Sequence, residues 1–337
     1  MNARQVIERG FVFDGCVFLS DGYVDGLKSG GVHAINLTVS HFEMDFETVF
    51  DQIAEWHQRL NEPGSPWHLV REVEDFDRAR AAGKIGLVMG WQNMRAIADK
   101  LERLALAHAA GLRIMQLTYN RRNFIGDGCL EPENAGLSHF GRQAVAAMNR
   151  LGIAIDLSHV GERTAREAAE ASSKPVLVTH ANARAIVDVP RNKGDGVLKA
   201  VAAGGGVIGA SIYGTMCWPG DPKAPPSLDD FLRQLDYLVT TMGMAHVGLG
   251  TDLPSVSDLA AVKHITDMTL KRFPAAISVY AAAFGNDIRT RYAAGFTDHR
   301  CIEAIVEALL RRNWREADLL ALLGGNFRRA LRTIWTS

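Results

Sequence analysis

His159 and His180 each close a short apolar run, "IAIDLSH" (153–159) and "PVLVTH" (175–180), and a third run, "HVGLGTD" (246–252), closes on Asp252. Imidazole pairs suit Zn²⁺ or a similar borderline ion, and a third ligand plus water would complete a catalytic site. Asp252 is a carboxylate that can orient and deprotonate such a water. A lone histidine at the end of an apolar run is usually a satisfied structural residue, and Asp252 in "TDLPS" also reads as a turn former. Two such histidines on successive runs, with the aspartate on another, point to chemistry. Gln92, Tyr119 and Tyr213 stand at the ends of three further runs, "IGLVMGW" (85–91), "LRIMQLTY" (112–119) and "GGVIGASIY" (205–213).

For these side chains to meet, the runs must be neighbouring strands that end on one face. Eight runs qualify: the six just named, Phe11–Asp14 and "GGVHAINLTV" (30–39). They are continuously apolar and rich in Val, Ile and Leu, as strands buried on both faces must be. Helical patterns lie between most of them, at 45–61, 95–110, 138–151, 161–172, 195–203 and 227–243. Ser138 and Ser227 are good caps, and Gly152 and Gly243 good stops. This alternation predicts an α/β fold, a (β/α)8 barrel whose active site forms at the C-terminal ends of the strands. The Gly-rich phosphate loop of an open dinucleotide-binding sheet is missing after the first strand. The reading is one domain over 1–337, with an irregular insert at about 253–297 and closing helices at 299–312, 315–323 and 325–335. "PGDPKAPPS" (219–227) is the most loop-like stretch, in a position suited to a lid.

With 47% hydrophobic and 22% charged residues and a formal net charge of −1, the 337-residue chain has ample material for a large core. It carries no electrostatic footprint for nucleic acid or an anionic membrane. No apolar run approaches the roughly 18 residues that span a bilayer. The opening "MNARQVIERG" has no signal-peptide core, so a cytoplasmic protein is expected. Cys16, Cys129, Cys217 and Cys301 form no CxxC pair and read as buried thiols.

Longer motifs add to this. "MQLTYNRRNFIGDGCLE" (115–131), "GLSHFGRQAVAAMNRLGIAIDLSHVGERT" (136–164), "KPVLVTHANARAIVDVPRNKGD" (174–195) and "HVGLGTD" resemble, in order, the membrane (renal) dipeptidase family, peptidase family M19. The resemblance implies an amidohydrolase-type barrel and a binuclear zinc site that hydrolyses dipeptides, including those with a C-terminal D-residue. It also implies a homodimer. Carried over, His159 and His180 hold the second zinc. Asp252 contacts the first and acts as acid/base on the attacking water. Arg191 binds the substrate carboxylate, a task that suits its bidentate geometry. Tyr119 falls beside the scissile carbonyl, Asn123 ties down the loop after the fourth strand, and Tyr213 joins them at the substrate side.

The departures from the family carry as much information. Where its first strand ends Asp-Gly-His-x-Asp, this chain reads Asp14-Gly15-Cys16-Val17-Phe18, and the bridging glutamate of the third strand is replaced by Gln92. Two adjacent dications need anionic ligands between them. Cys16 can bind zinc as thiolate, but Phe18 has no lone pair and Gln92 no charge. The sequence therefore predicts one Zn²⁺ rather than two, drawn from His159, His180, Gln92, Asp252 and Cys16, with a metal-free site as the other possibility. The leading expectation is a dipeptidase-like metallohydrolase acting on a dipeptide or small carboxylate-bearing amide. The alternative is a non-peptidase enzyme (lyase, isomerase or hydrolase) on the same scaffold, with Cys16, Phe18 and Trp91 reshaping the pocket floor. A non-catalytic homologue is the third reading, opposed by the expense of keeping His159, His180, Arg191 and Asp252 together.

Overall fold

Eight short strands hydrogen-bond in a closed, all-parallel ring in the computed structural model, which describes residues 2–18, 23–217, 225–254, 292–296 and 298–336 together with 267 and 271. The strands are β1 (Phe13–Phe18), β2 (Ala34–Thr38), β3 (Trp67–Leu69), β4 (Ile85–Trp91), β5 (Leu112–Gln116), β6 (Ala154–Asp156), β7 (Leu177–Val178), β8 (Val207–Ala210), β9 (Val247–Leu249) and β10 (Leu253–Pro254). The ring runs β1-β2-β4-β5-β6-β7-β8-β9 and closes through Asp14 opposite Leu249. β3 adds to β4, and β10 resumes pairing with β1 past a break at 250–252. Helices follow most strands, so the fold is the (β/α)8 barrel that the alternation predicts.

The strands alternate between two apolar layers. Phe13, Ala34, Val88, Ile114, Ala154, Leu177 and Val207 share one cluster with Phe327, Leu331 and Ile334 of the last helix (Asn326–Trp335). The last helix, Asn326–Trp335, plugs the N-terminal end of the barrel, with the Phe13 and Phe327 rings 5.2 Å apart. The opposite register, including Leu37, Leu87, Met89, Trp91 and Leu117, packs under the helices. Trp91 therefore faces away from the barrel interior and does not form a pocket floor.

Several boundaries differ from the sequence reading. β1 begins two residues later than expected and continues through Phe18, so Cys16 lies within the strand. Its pairing with β2 slips between Asp14 and Val17, where three steps on β1 match two on β2. The extra residue is a bulge. It lets both Gly15 and Cys16 face inward. The helix expected at 95–110 divides into a 3₁₀ turn (Met94–Ile97) and a helix (Glu102–Ala109), because Ala98 takes a non-helical conformation with a positive φ of 52°. Short helices at Ala3–Arg9, Val24–Ser29 and Glu74–Ala81 add to the expected set. Most of the expected insert at 253–297, and residues 219–224 of the proposed lid, lie outside the described residues.

Beyond β7 the chain bends toward the barrel axis. The carbonyl oxygen of Thr179 lies so deep that an added Cβ would come within 2.4 Å of it at Gly15, 2.1 Å at Gly209 and 1.8 Å at Gly250. Only glycine fits these three positions, and the approach carries His180 to the centre of the mouth. Gly250→Ala is expected to destabilise the fold by about 1–3 kcal/mol or more. A lower urea midpoint would show it.

His33, just before β2, accepts the Val12 amide at Nδ1 (3.1 Å). Burial, reinforced by the charge of Arg80, lowers its pKa from 6.5 to about 4. The unfolded chain therefore binds this proton first on acidification, and stability is lost as pH falls from 6.5 toward about 4. His33→Asn offers a carbonyl to the same amide. It should remove one proton's share of that slope in urea midpoints measured across this range.

Candidate metal centre

His159 and His180 meet at the barrel mouth with their Nε2 atoms 3.0 Å apart, both rings buried. Each ring is held at its other nitrogen. His159 Nδ1 lies 2.8 Å from Asn120 Oδ1, an oxygen that also accepts the Cys129 thiol. His180 Nδ1 lies 2.8 Å from the Thr179 hydroxyl, whose proton goes to Asp156. With the Thr179 proton on Asp156 and Asn120 Oδ1 as acceptor, both Nδ1 atoms donate, and the two Nε2 lone pairs then face one another. Burial, and after it the charge of Arg191, pushes both imidazoles well below the usual histidine pKa. A shared proton is thus disfavoured. A metal ion with its usual bond length to imidazole would hold two such nitrogens about 3.3 Å apart. This pair of residues fits one.

Cys16, His180 and Asp252 form a second grouping around the same ring, with one donor atom of each within 4.8 Å of the others. The Cys16 thiol lies 3.8 Å from Asp252 Oδ1. Burial and the neighbouring charges of Asp252, Asp14 and Asp156 push the Cys16 pKa well up, so the thiol is protonated until a cation stabilises its thiolate. Gln92 Nε2 donates to Thr38 Oγ1 (2.7 Å) and to Cys16 Sγ (3.3 Å). Gln92 Oε1 is buried with no hydrogen-bond partner, an acceptor short of a donor or an ion. The donor chemistry (thiolate, two imidazoles, carboxylate and an amide oxygen) suits Zn²⁺, and the two anions balance one dication.

Asp252 sits in the break between β9 and β10 with φ 58°, its amide bonded to the Cys16 carbonyl (3.1 Å). Tyr292 donates to its backbone carbonyl (2.8 Å). Tyr119 stacks on His159 at 3.8 Å and on Phe42 at 3.6 Å, in a column of three rings. Burial, with the charge of Asp252, raises its pKa well above that of free tyrosine, so it is a proton donor and not a base. Tyr213 packs edge-on against Tyr292, 5.9 Å between ring centres.

Arg191 donates to the carbonyls of Ser158 and His180 and is 3% exposed. No carboxylate of the described residues forms an ion pair with it. Asn123 spends its hydrogen bonds on Asn93, Leu117 and Ile125, holding the loop after β5 rather than facing the histidines. Phe18 pairs with Pro254 on β10.

The sequence reading did not single out Asn120, Thr179, Asp156, Phe42 or Lys193. Lys193 is fully buried on the Val160 carbonyl (2.7 Å), and burial lowers its pKa to about 8. It also passed over Asp14, His299 and Tyr23, a buried chain of contacts of 2.6 Å and 2.8 Å behind β1. The available signal was polar residues inside apolar runs, as in "IDLSH" and "LVTH".

An uncharacterized dipeptidase of Schizosaccharomyces pombe is 30% identical over 197 residues, 56% of this chain. The match spans 47% of that relative, so the chain covers less than half its length. The solved structure of an amidohydrolase from Pseudomonas aeruginosa superimposes with a TM-score of 0.87 over 99% of both chains, at 29% identity. A metallopeptidase from Rhodobacter sphaeroides, solved with a phosphinate mimic of L-Ala-D-Ala, has the same fold at 22% identity, with a TM-score of 0.77 over 96% of this chain and 99% of that one. The family profile of membrane dipeptidases matches residues 24–275, well over half of the chain. The chain belongs to the membrane dipeptidase family, peptidase family M19.

Proposed function

We propose that this protein is a metallohydrolase that cleaves a dipeptide or a small carboxylate-bearing amide with a single Zn²⁺ ion. The observation that carries the reading is the pair of buried Nε2 atoms 3.0 Å apart in a site that disfavours a proton. His159, His180, Cys16 and Asp252 would hold the ion, with Gln92 Oε1 as a neutral fifth donor. When bound, the ion would polarise the scissile carbonyl and acidify a water.

The remaining roles fall to the chain's own groups. The buried Arg191 charge, without a carboxylate partner among the described residues, would be neutralised by the substrate carboxylate. Asp252 would take the proton of the attacking water as its oxygen bonds to the carbonyl carbon. It would then pass that proton to the departing amine nitrogen as the C–N bond breaks. Tyr119, kept protonated, would donate to the oxygen of the carbonyl under attack. The dipeptide mimic held by the Rhodobacter relative supports the substrate class.

The neutral Gln92 and the aromatic column over His159 favour one other reading, a non-peptidase enzyme acting on a small carboxylate-bearing metabolite. A cytoplasmic homodimer is carried from composition and family alone, and light scattering of the purified chain tests the dimer.

Metal analysis of protein purified without chelator should find one zinc per chain. The Co²⁺ form should show a thiolate charge-transfer band that Cys16→Ser removes, and His180→Ala should abolish uptake. Two ions per chain would overturn the single-ion reading. On a panel of L,L- and L,D-dipeptides, the zinc-loaded enzyme should turn over, and Arg191→Met should lower kcat/KM by about 10- to 100-fold. Turnover only of a non-peptide metabolite, insensitive to chelator, would favour the alternative.

A further inference from the structure

Two buried carboxylates behind the donor set repeat one arrangement. Asp156, at the end of β6, accepts from the Ser158 amide two residues on (3.1 Å) and from the Thr179 amide (2.9 Å) and hydroxyl (2.8 Å) beyond β7. Asp14, on β1, accepts from the Cys16 amide two residues on (3.1 Å), and from the amide (2.9 Å) and hydroxyl of Thr251 beyond β9. In each case the threonine directly precedes a candidate ligand, His180 or Asp252. Asp14 and Asp156 are 1% and 2% exposed. Asp14 is further bound by His299 Nε2 (2.6 Å), while Asp156 makes no ion pair among the described residues.

Burying a carboxylate is costly unless donors surround it, and here the donors are the backbone and hydroxyls that set the two ligand-bearing strand ends. A threonine hydroxyl has one proton. Once that proton is on the carboxylate, the oxygen offers only lone pairs, so His180 Nδ1 at 2.8 Å must carry a hydrogen and Nε2 must be bare. At the second clip, Asp14 ties the Cys16 amide and the Thr251 amide to one oxygen, which fixes the spacing of Cys16 from Asp252.

We propose that Asp156 and Asp14 are positioning residues of the metal centre, acting through Thr179 to set the tautomer of His180 and through Thr251 to seat Asp252 beside Cys16. The inference rests on the single-ion reading of the site. Such outer partners typically change metal affinity by 10–100-fold when removed.

The test compares Thr179→Val and Thr251→Val, which keep shape and lose the hydroxyl, with Thr179→Ser and Thr251→Ser, which keep it. In the metal-free protein, ¹H–¹⁵N correlation of the imidazoles should show His180 as the Nδ1–H tautomer in wild type and Thr179→Ser, and a changed tautomer in Thr179→Val. In competition with a chelator, each Val variant should bind Zn²⁺ about 10- to 100-fold more weakly, with the Ser variants near wild type. Wild-type His180 found as Nε2–H overturns the proposal, even if Thr179→Val does not fold. So do folded Val variants that bind Zn²⁺ as tightly as a wild type that takes up one ion. A wild-type chain that takes up no ion overturns the single-ion reading instead, and the tautomer comparison then decides the role of Thr179 alone.

Discussion

The path of the chain past β7 governs the mouth of this barrel. Thr179 turns its carbonyl into the axis, where any side chain at Gly15, Gly209 or Gly250 would collide with it. β7 is consequently only two residues long, since the backbone leaves the ladder to make this approach. His180 then emerges at the centre of the mouth, within reach of His159 from β6, Cys16 from β1 and Asp252 from the β9 break. A barrel with ordinary side chains at those three positions would hold His180 further out and separate it from its neighbours. The site is thus set by backbone sterics first, and by side-chain chemistry second.

Charge is the argument behind the proposal of a single ion at that mouth. Cys16 as thiolate and Asp252 together supply two negative charges, which balance one dication. Asp14 and Asp156, two further buried carboxylates behind these ligands, have their oxygens filled by amides, hydroxyls and His299. Arg191 adds a buried positive charge nearby, and it depresses both histidines. On the single-ion proposal, a second dication would meet the repulsion of the first, the charge of Arg191 and the neutral amide of Gln92. Against the ligand set that the family resemblance implies, Cys16, Phe18 and Gln92 would act together as a change in net charge.

The barrel was legible in the sequence because its eight strands are buried on both faces and read as unbroken apolar runs. Their ends were legible to within a few residues, which sufficed to bring Gln92, Tyr119, His159, His180 and Asp252 to one mouth. β1 starts two residues later and ends four residues later than its apolar run suggests, and the bulge after Asp14 has no mark in an apolar pattern. Trp91 was misplaced because a continuously apolar strand does not say which side chains face in. The clips were missed for another reason. Asp14 and His299 lie 285 residues apart, and such a partnership has no local signature. In hindsight a faint pattern exists: "FDGC" with "GTD", and "IDLS" with "VTH", each an Asp two residues before a donor and a Thr before a ligand.

Preorganisation is the last consequence of these contacts. His159 is gripped on its face by the Tyr119 ring, itself stacked on Phe42, and on its edge by Asn120. His180 is gripped on its edge by Thr179, while its backbone amide is held by Ser158 (3.1 Å). With both rings held, the two Nε2 atoms stay 3.0 Å apart. An ion bound between them would not spend its free energy on ordering these side chains.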